Sequence, residues 1–449
     1  MAGDMHQSAS ASSRRRLNGD QRGATAVVFA IGATVLAGMV GLATEAGGWY
    51  LEKRHGQNAA DAAAIAGVLA LASGQSATTS GSKAATLTGD NNGLTITTGI
   101  FSNGSFTANA TPASAVKAVV TTSRARSFSG LFGTGNVSIS ESAVATLAAT
   151  GPVCMLAHGG GLSFGGSSSI SAANCTLASN KTGSQSISGA SSSHIPASQS
   201  LVAAGGCSGC TGLTTVPLTY QPPTPDPVAL TTIEGLTLPY PNDAQGTKCN
   251  TGSNPSNNPV AYNPASSHPL INCNGLSLTG NFLLYLQPGT YIFYNSSISL
   301  NSGTIECSTS TTAYVPCTGS GNSGVTIVMT GSPGSSVGTI NIRGNVTVHL
   351  TAPATNTYNS AFNNVLFFTS ASATTGNQVN LTGDSTSTYG GAMYFPSSAV
   401  TFIGNSSGSV PTCSELVGYS LTFTGNSGFD ISGCSASNVA KTRTVRLAM

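Results

Sequence analysis

"VNLTGD" at 379–384, "VTFIGN" at 400–405 and "LTFTGN" at 421–426 begin 21 residues apart and share the form apolar-x-apolar-x-Gly-Asn/Asp. Alternation puts the first and third side chains on one face of a short strand, and the glycine with its amide or acid neighbour ends that strand in a turn. "LSLTGN" (276–281) and "INIRGN" (340–345) repeat the form, and "ISLNSG" (298–303) and "VTIVMTG" (325–331) are shorter relatives. A strand, a turn glycine and a period near twenty predict one coil of a parallel β-helix or solenoid. Inward Leu, Ile, Val and Phe would stack between coils while outward Ser and Thr face water. Short strands with turns also fit a β-sandwich, which stands as the alternative.

Composition agrees with an extracytoplasmic β-protein. Of 449 residues only 7% are charged, against roughly 25% in an average soluble domain. Glycine contributes 55 residues, and Ser, Thr and Asn supply most of the polarity. The net charge of +2 leaves no electrostatic footprint for nucleic acid.

The N-terminus reads differently. "RRRLNGDQR" (14–22) is basic, and "ATAVVFAIGATVLAGMVGLA" (24–43) holds no charge. Twenty helical residues rise about 30 Å, the thickness of the hydrocarbon core. The arginines outweigh Lys53 and Arg54 beyond the span, which predicts a cytoplasmic N-terminus and a periplasmic remainder. Ala26, Ala30, Thr34 and Gly38 form one small-residue ridge, and Ala33, Ala37 and Gly41 another, the kind that lets helices approach closely in lipid. A cleaved signal ending at Ala43, or a twin-arginine signal at "SRRRLN" (13–18), competes with this reading. Helical pattern nevertheless continues through "YLEKRHGQNAADAAAIAGVLALA" (50–72), where Ile65, Val68, Leu69 and Ala72 make an apolar stripe. A retained anchor running into an amphipathic outer half fits both pieces.

Four segments follow: a cytoplasmic basic piece (1–23), a transmembrane and pilin-like helix (24–73), a small α+β head (74–150) and a Ser/Thr/Gly/Asn-rich β-solenoid (151–449) with a loop-rich 220–270 around "PPTPDP" (222–227). In the head, "GLTITTGIF" (93–101), "AVKAVVTTSR" (115–124) and "NVSISESAVATLAAT" (136–150) alternate like strands.

Catalytic constellations are sparse. A polysaccharide-cleaving β-helix groups carboxylates in a groove. Here the acids beyond residue 150 are Asp226, Glu234, Asp243, Glu306, Asp384, Glu415 and Asp430, none in a paired motif. Asp384 and Asp430 sit near turns, where capping is the ordinary role. His158, His194, His268 and His349 lack metal-ligand spacing. The sequence therefore predicts neither catalytic residues, metal nor cofactor, and no enzyme.

All ten cysteines lie beyond the span, where an oxidising compartment favours pairing. Cys154 and Cys175 are 21 residues apart, as are Cys413 and Cys434. Strands one coil apart lie about 4.8 Å from each other, within disulfide reach. These two pairs are expected as coil staples, and Cys207–Cys210 ("CSGC") as a local loop. Cys249, Cys273, Cys307 and Cys317 are left to pair among themselves, in chain order.

"RGATAV" (22–27), the apolar span, an aromatic residue near its end and "QNAADAAA" (57–64) together resemble the N-terminal segment of TadE/TadG-like proteins of the bacterial tight-adherence (Flp pilus) assembly system. "FSGLFGTGNVSIS" (128–140), "PVCMLAHGGGLSFGGSSSISAANC" (152–175) and "GGAMYFPSSAVTFIGN" (390–405) look like this family too. The resemblance implies a non-enzymatic, single-pass inner-membrane component or accessory of pilus assembly, with its bulk periplasmic or surface-exposed. Its partners would be the membrane and other pilus-assembly proteins. Gln57, Asn58 and Asp61 mark the family helix motif, with Asn58 and Asp61 expected on one polar face. Relatives processed by prepilin peptidase carry glutamate at the fifth mature position. After Gly23 that position is Val28, so the resemblance implies the unprocessed TadG-like branch, and Glu45 becomes the first acid past the span. Relatives with a metal-ion-dependent adhesion site carry Asp-x-Ser-x-Ser. "DSTST" (384–388) matches it but lacks the alternating strands and helices that such a site needs. A surface adhesin binding glycans along the solenoid is the second reading, and a carbohydrate-active β-helix enzyme the third.

Overall fold

The computed structural model describes residues 21–89, 93–172, 175–189, 200–213, 215–227, 233, 236, 238, 260–262, 269–332, 337–371, 377–383, 387–406, 414–428 and 441–448. The protein is mainly β, with a long apolar N-terminal helix. Contacts divide it into two compact units. Met1–Gly67, Ser76–Ala145 and Leu447–Met449 form the first, and Val68–Gln75 with Thr146–Arg446 the second.

In the first unit, α1 (Gln21–Ala72) begins as the predicted span. Val27, Val28, Phe29, Ile31, Val35, Leu36, Met39, Val40 and Leu42 are all at least half exposed. So long an uncovered apolar stretch belongs in a membrane or an interface. Helix α2 (Ala77–Leu87) starts at Ser76, whose hydroxyl accepts from the Thr79 amide, the usual satisfaction of an orphan first-turn donor. Strands β1 (Thr95–Ser102), β2 (Ser105–Ala108) and β3 (Ala115–Ala125) pair antiparallel, β1 in the middle. Asn103 and Gly104 both take positive φ between β1 and β2, the two-residue hairpin that Asn-Gly specifies. Strand β4 (Asn136–Ser171) starts in this unit, where Ser140 bonds Thr121 at 3.1 Å and Asn136 donates to Ser123 at 3.1 Å.

Of the stripe expected on the outer half of α1 only Val68 is fully buried, and the buried face is shifted toward the small residues. Ala59, Ala60, Ala63, Ala64 and Gly67 are buried, whereas Ile65, Leu69 and Ala72 are only half-buried. The cause is close approach. A Cβ on Gly67 would meet Val116 Cγ1 of β3 at 2.9 Å, and one on Gly81 of α2 would meet the Ala63 carbonyl oxygen at 2.8 Å.

In the second unit every strand ladder with a described register is parallel. Leu276, Ile298, Ile340, Val379, Val400 and Leu421 are successive partners, as are Leu278, Leu300, Ile342, Leu381, Phe402 and Phe423. All twelve are buried in one core cluster. The repeated hexapeptides thus stack upon one another. Steps of 21 hold from 379 to 400 to 421, while 298 to 340 and 340 to 379 are longer because residues 308–324 and 352–364 are inserted.

Stack order departs from chain order. Leu421 and Phe423, near the C-terminus, pair with Leu162 and Phe164 of β4. Beyond them come Ile187 and then Cys207. The strand that opens the unit is therefore internal, and the late strand Ser414–Gly428 docks against it.

A second ladder contradicts the expectation that outward positions face water. Ile271, Ile292, Val328, Phe368, Tyr394, Val417, Leu156 and Ala178 are successive partners. All are buried, in a second apolar cluster with Ile233 and Phe362. Their neighbours Tyr291, Ile327, Phe367, Met393, Leu416, Met155 and Leu177 point into the first cluster. These strands are covered on both faces, which is why "VLFF" (365–368) reads as an unbroken apolar run and "VTIVM" (325–329) is interrupted only by Thr326. Ile233, Leu236 and Leu238, from the stretch read as loop, supply part of that cover.

Candidate functional site

The family helix motif sits where α1 meets the head sheet. Gln57 donates from Nε2 to Asp61 Oδ1 at 2.7 Å and reaches the Ser142 carbonyl at 3.4 Å. Asn58 is exposed, and Asp61 is half-buried. Asp61 thus pairs with Gln57 one helical turn before it, a clasp that the spacing of Asn58 and Asp61 gave no sign of. Flanking ion pairs, Lys53–Glu141 at 3.8 Å and Arg124–Glu52, tie the same helix to β4 and β3.

Two residues past the span, Glu45 is 8% exposed. Its carboxylate accepts from the Ser127 amide at 2.8 Å, the Ser129 amide at 2.6 Å and the Ser129 hydroxyl at 2.9 Å. Sequence spacing placed Glu45 at the membrane edge but gave no sign of this cradle, whose donors lie more than eighty residues downstream. The cradle fixes the segment 127–132 along α1. Phe128 fills the notch of Gly41, where a Cβ would stand 2.6 Å from its ring, and it also touches Gly38. Two residues of the small-residue ridges thus receive an aromatic ring of the chain itself.

The second unit holds two clusters that sequence spacing did not assemble. Tyr285, Glu306, His349 and Thr388 share one register position on four successive strands. Over them lies Tyr314, 6.4 Å from the Tyr285 ring and 6.3 Å from His349. Its loop is closed by Cys307–Cys317 and organised by Ser308, whose hydroxyl donates to Ser310 and Ala313 carbonyls and accepts from the Val315 amide. Burial raises the Glu306 carboxyl above the usual carboxylate range. Burial, then the Glu306 charge and Tyr285, raise the Tyr314 phenol. A carboxyl, an imidazole and stacked phenols in one patch can hydrogen-bond a polyol and cover its apolar face. Elsewhere, Asp226 of "PPTPDP" lies 2.7 Å from His158 Nε2 and accepts from the Tyr394 hydroxyl at 3.0 Å. It joins β4 to the strand Thr388–Ser406.

Cys154 and Cys175 are joined with Cα atoms 5.6 Å apart, Cys207 and Cys210 at 6.0 Å, and Cys307 and Cys317 at 5.5 Å. Cys273 is also disulfide-bonded. Cys249, Cys413 and Cys434 lie outside the described residues, as do Glu234, Asp243, Asp430, His194, His268 and Asp384 of "DSTST". No cluster of three metal-ligating side chains occurs among the described residues.

Among the described residues one exposed apolar helix is long enough to cross a bilayer, and it runs on into a small α+β head, a candidate membrane-anchored unit. Residues 23–73 match the Flp pilus-assembly TadE/G-like family model, a likeness confined to this segment that supports a role in Flp pilus assembly. Curated proteins and solved structures give no match to the chain.

Proposed function

We propose that the protein is a non-enzymatic, single-pass component or accessory of Flp pilus assembly. Its N-terminus is cytoplasmic, and its parallel ladders wind as an extracytoplasmic β-solenoid. The observation that carries this reading is the family match over α1 (residues 23–73), whose first half is apolar and uncovered and whose second half is packed by small residues against the head. The two consecutive 21-residue steps from Val379 to Val400 to Leu421 support the solenoid. Deleting the gene and counting surface pili by electron microscopy tests the role. Loss of pili, restored by the full chain, is expected; normal piliation in the deletion strain overturns it. Val28 favours an unprocessed chain, so N-terminal sequencing of membrane-extracted protein should give no dominant species beginning at Ala24.

The second reading, a glycan-binding adhesin, is favoured by one observation. Ser277, Ser299, Asn341, Asn380, Thr401 and Thr422 stand on successive strands between the two inward ladders, with the Glu306–His349–Tyr314 patch in the same unit. The full chain in lipid vesicles should then bind a glycan array, and Tyr314→Ala should weaken that binding.

A further inference from the structure

We propose that the head carries a second, interfacial membrane anchor: the segment Ser127–Phe132, with Leu131 and Phe132 inserted into the outer leaflet beside α1. The inference rests on the reading of α1 as a transmembrane anchor and adds a lipid contact by the globular part.

Three observations converge on this loop. Leu131 is 76% exposed and Phe132 82%, the most exposed large apolar side chains of the unit apart from Leu87 and, on the apolar span itself, Phe29. Phe132 stands edge-on to Phe128 with ring centroids 6.0 Å apart, and Phe128 in turn fills the Gly38–Gly41 notch. The loop is therefore continuous with the apolar helix surface. It is also held there rigidly, because Glu45 takes three hydrogen bonds from Ser127 and Ser129.

Geometry then fixes its depth. The loop lies along α1 from Gly38 to Glu45. If it stayed above the hydrocarbon, residues 24–37 alone would have to cross it. Fourteen residues rise about 21 Å, well short of the roughly 30 Å core. Only when the span extends to residue 43 does its length match, and the Phe128 notch then lies below the membrane surface. Interfacial anchoring scales with the apolar area buried at the headgroup–acyl boundary, and Phe and Leu side chains supply that area. Ser127 and Ser129 spend their amides on Glu45, so the loop enters without unpaired donors at those positions, which lipid would penalise.

The test uses the full chain in phosphatidylcholine vesicles and tryptophan quenching by lipids brominated at shallow or deep acyl positions. Trp49, the only tryptophan, is replaced in W49F. Into that background go Phe132→Trp, Phe29→Trp as a reporter of the span, and Leu87→Trp as a water-facing reference. Phe132→Trp should emit to the blue of Leu87→Trp, be quenched at least twofold more by shallow-brominated lipid, and resist aqueous iodide. Iodide quenching equal to that of Leu87→Trp overturns the proposal. So does protection from iodide without bromolipid quenching, which would assign a protein occupant. Loss of quenching at Phe29→Trp would instead remove the transmembrane reading on which the proposal rests.

Discussion

The two units pack in opposite ways. In the first, glycine and alanine of α1 and α2 let backbone approach side chain, with Gly67 on Val116 and Gly81 on the Ala63 carbonyl. In the second, large side chains stack on their own kind at each step of the ladder. Phe402, Phe423 and Phe164 are consecutive partners with ring centroids 5.9 and 6.0 Å apart. Small residues leave a helix free to serve two environments, since nothing bulky commits its surface before a partner arrives. Large ones make each strand depend on the strands above and below. The first unit should therefore fail by overpacking and the second by cavities.

The largest loss is expected from Phe423→Ala. A fully buried aromatic removed from a ladder costs about 3–5 kcal/mol, measured as a lower denaturant midpoint for the β signal. Opening the Cys154–Cys175 staple comes next. In the double variant Cys154→Ser/Cys175→Ser a loop of about twenty residues is freed, worth about 3 kcal/mol, and thermal unfolding should show it under non-reducing conditions. In the first unit Gly81→Val forces a branched side chain against the Ala63 carbonyl and Ile96; overpacking of this kind costs about 1–3 kcal/mol. Hydrogen exchange of β1 and α2 should accelerate while the ladders keep their protection. If the ladders open equally, the two units are not separately packed.

The smallest effect carries a sign. Burial raises the Glu306 carboxyl above its ordinary range, so the folded state prefers the acid form. That preference contributes stability below the ordinary carboxylate pKa and is lost as pH rises through the raised value. Glu306→Gln should therefore be slightly more stable than the native protein at pH 7, and the difference should vanish by about pH 3, below the unperturbed value near 4.3. Equal melting temperatures at both pH values would show that this carboxyl is solvated.

Much of the second unit was legible because its signal is local and repeated. All of the quoted hexapeptides with described residues fall within strands, and three of them stack at the interval they show in sequence. The staple at Cys154–Cys175 was legible for the same reason, although it lies diagonal to the register: Val153 pairs with Thr176 and Met155 with Leu177. The docking of Leu421 on Leu162 was not, because partners about 260 residues apart leave no spacing to read. The outer apolar ladder was missed because its cover comes from Ile233, in a stretch without strand pattern. On α1 the apolar stripe was right at Val68 and off at the bulky Ile65 and Leu69. Apolar periodicity marks what can be buried, and here close approach selected Ala60, Ala63 and Gly67 instead. Glu45 could be placed by sequence, but its partners Ser127 and Ser129 could not.

The central claim is that the chain returns to stack the late strand Ser414–Gly428 on β4, the strand that opens the second unit. Thr422 and Ser163 are register partners across that junction. Thr422→Cys/Ser163→Cys, oxidised and digested with trypsin without reduction, should yield a covalent link between peptides 127–181 and 344–441, since Arg126, Lys181, Arg343 and Lys441 bound them. The native chain should show no such link. A double variant whose two peptides separate freely, with both new thiols unpaired, would contradict the junction and the stacking order built on it.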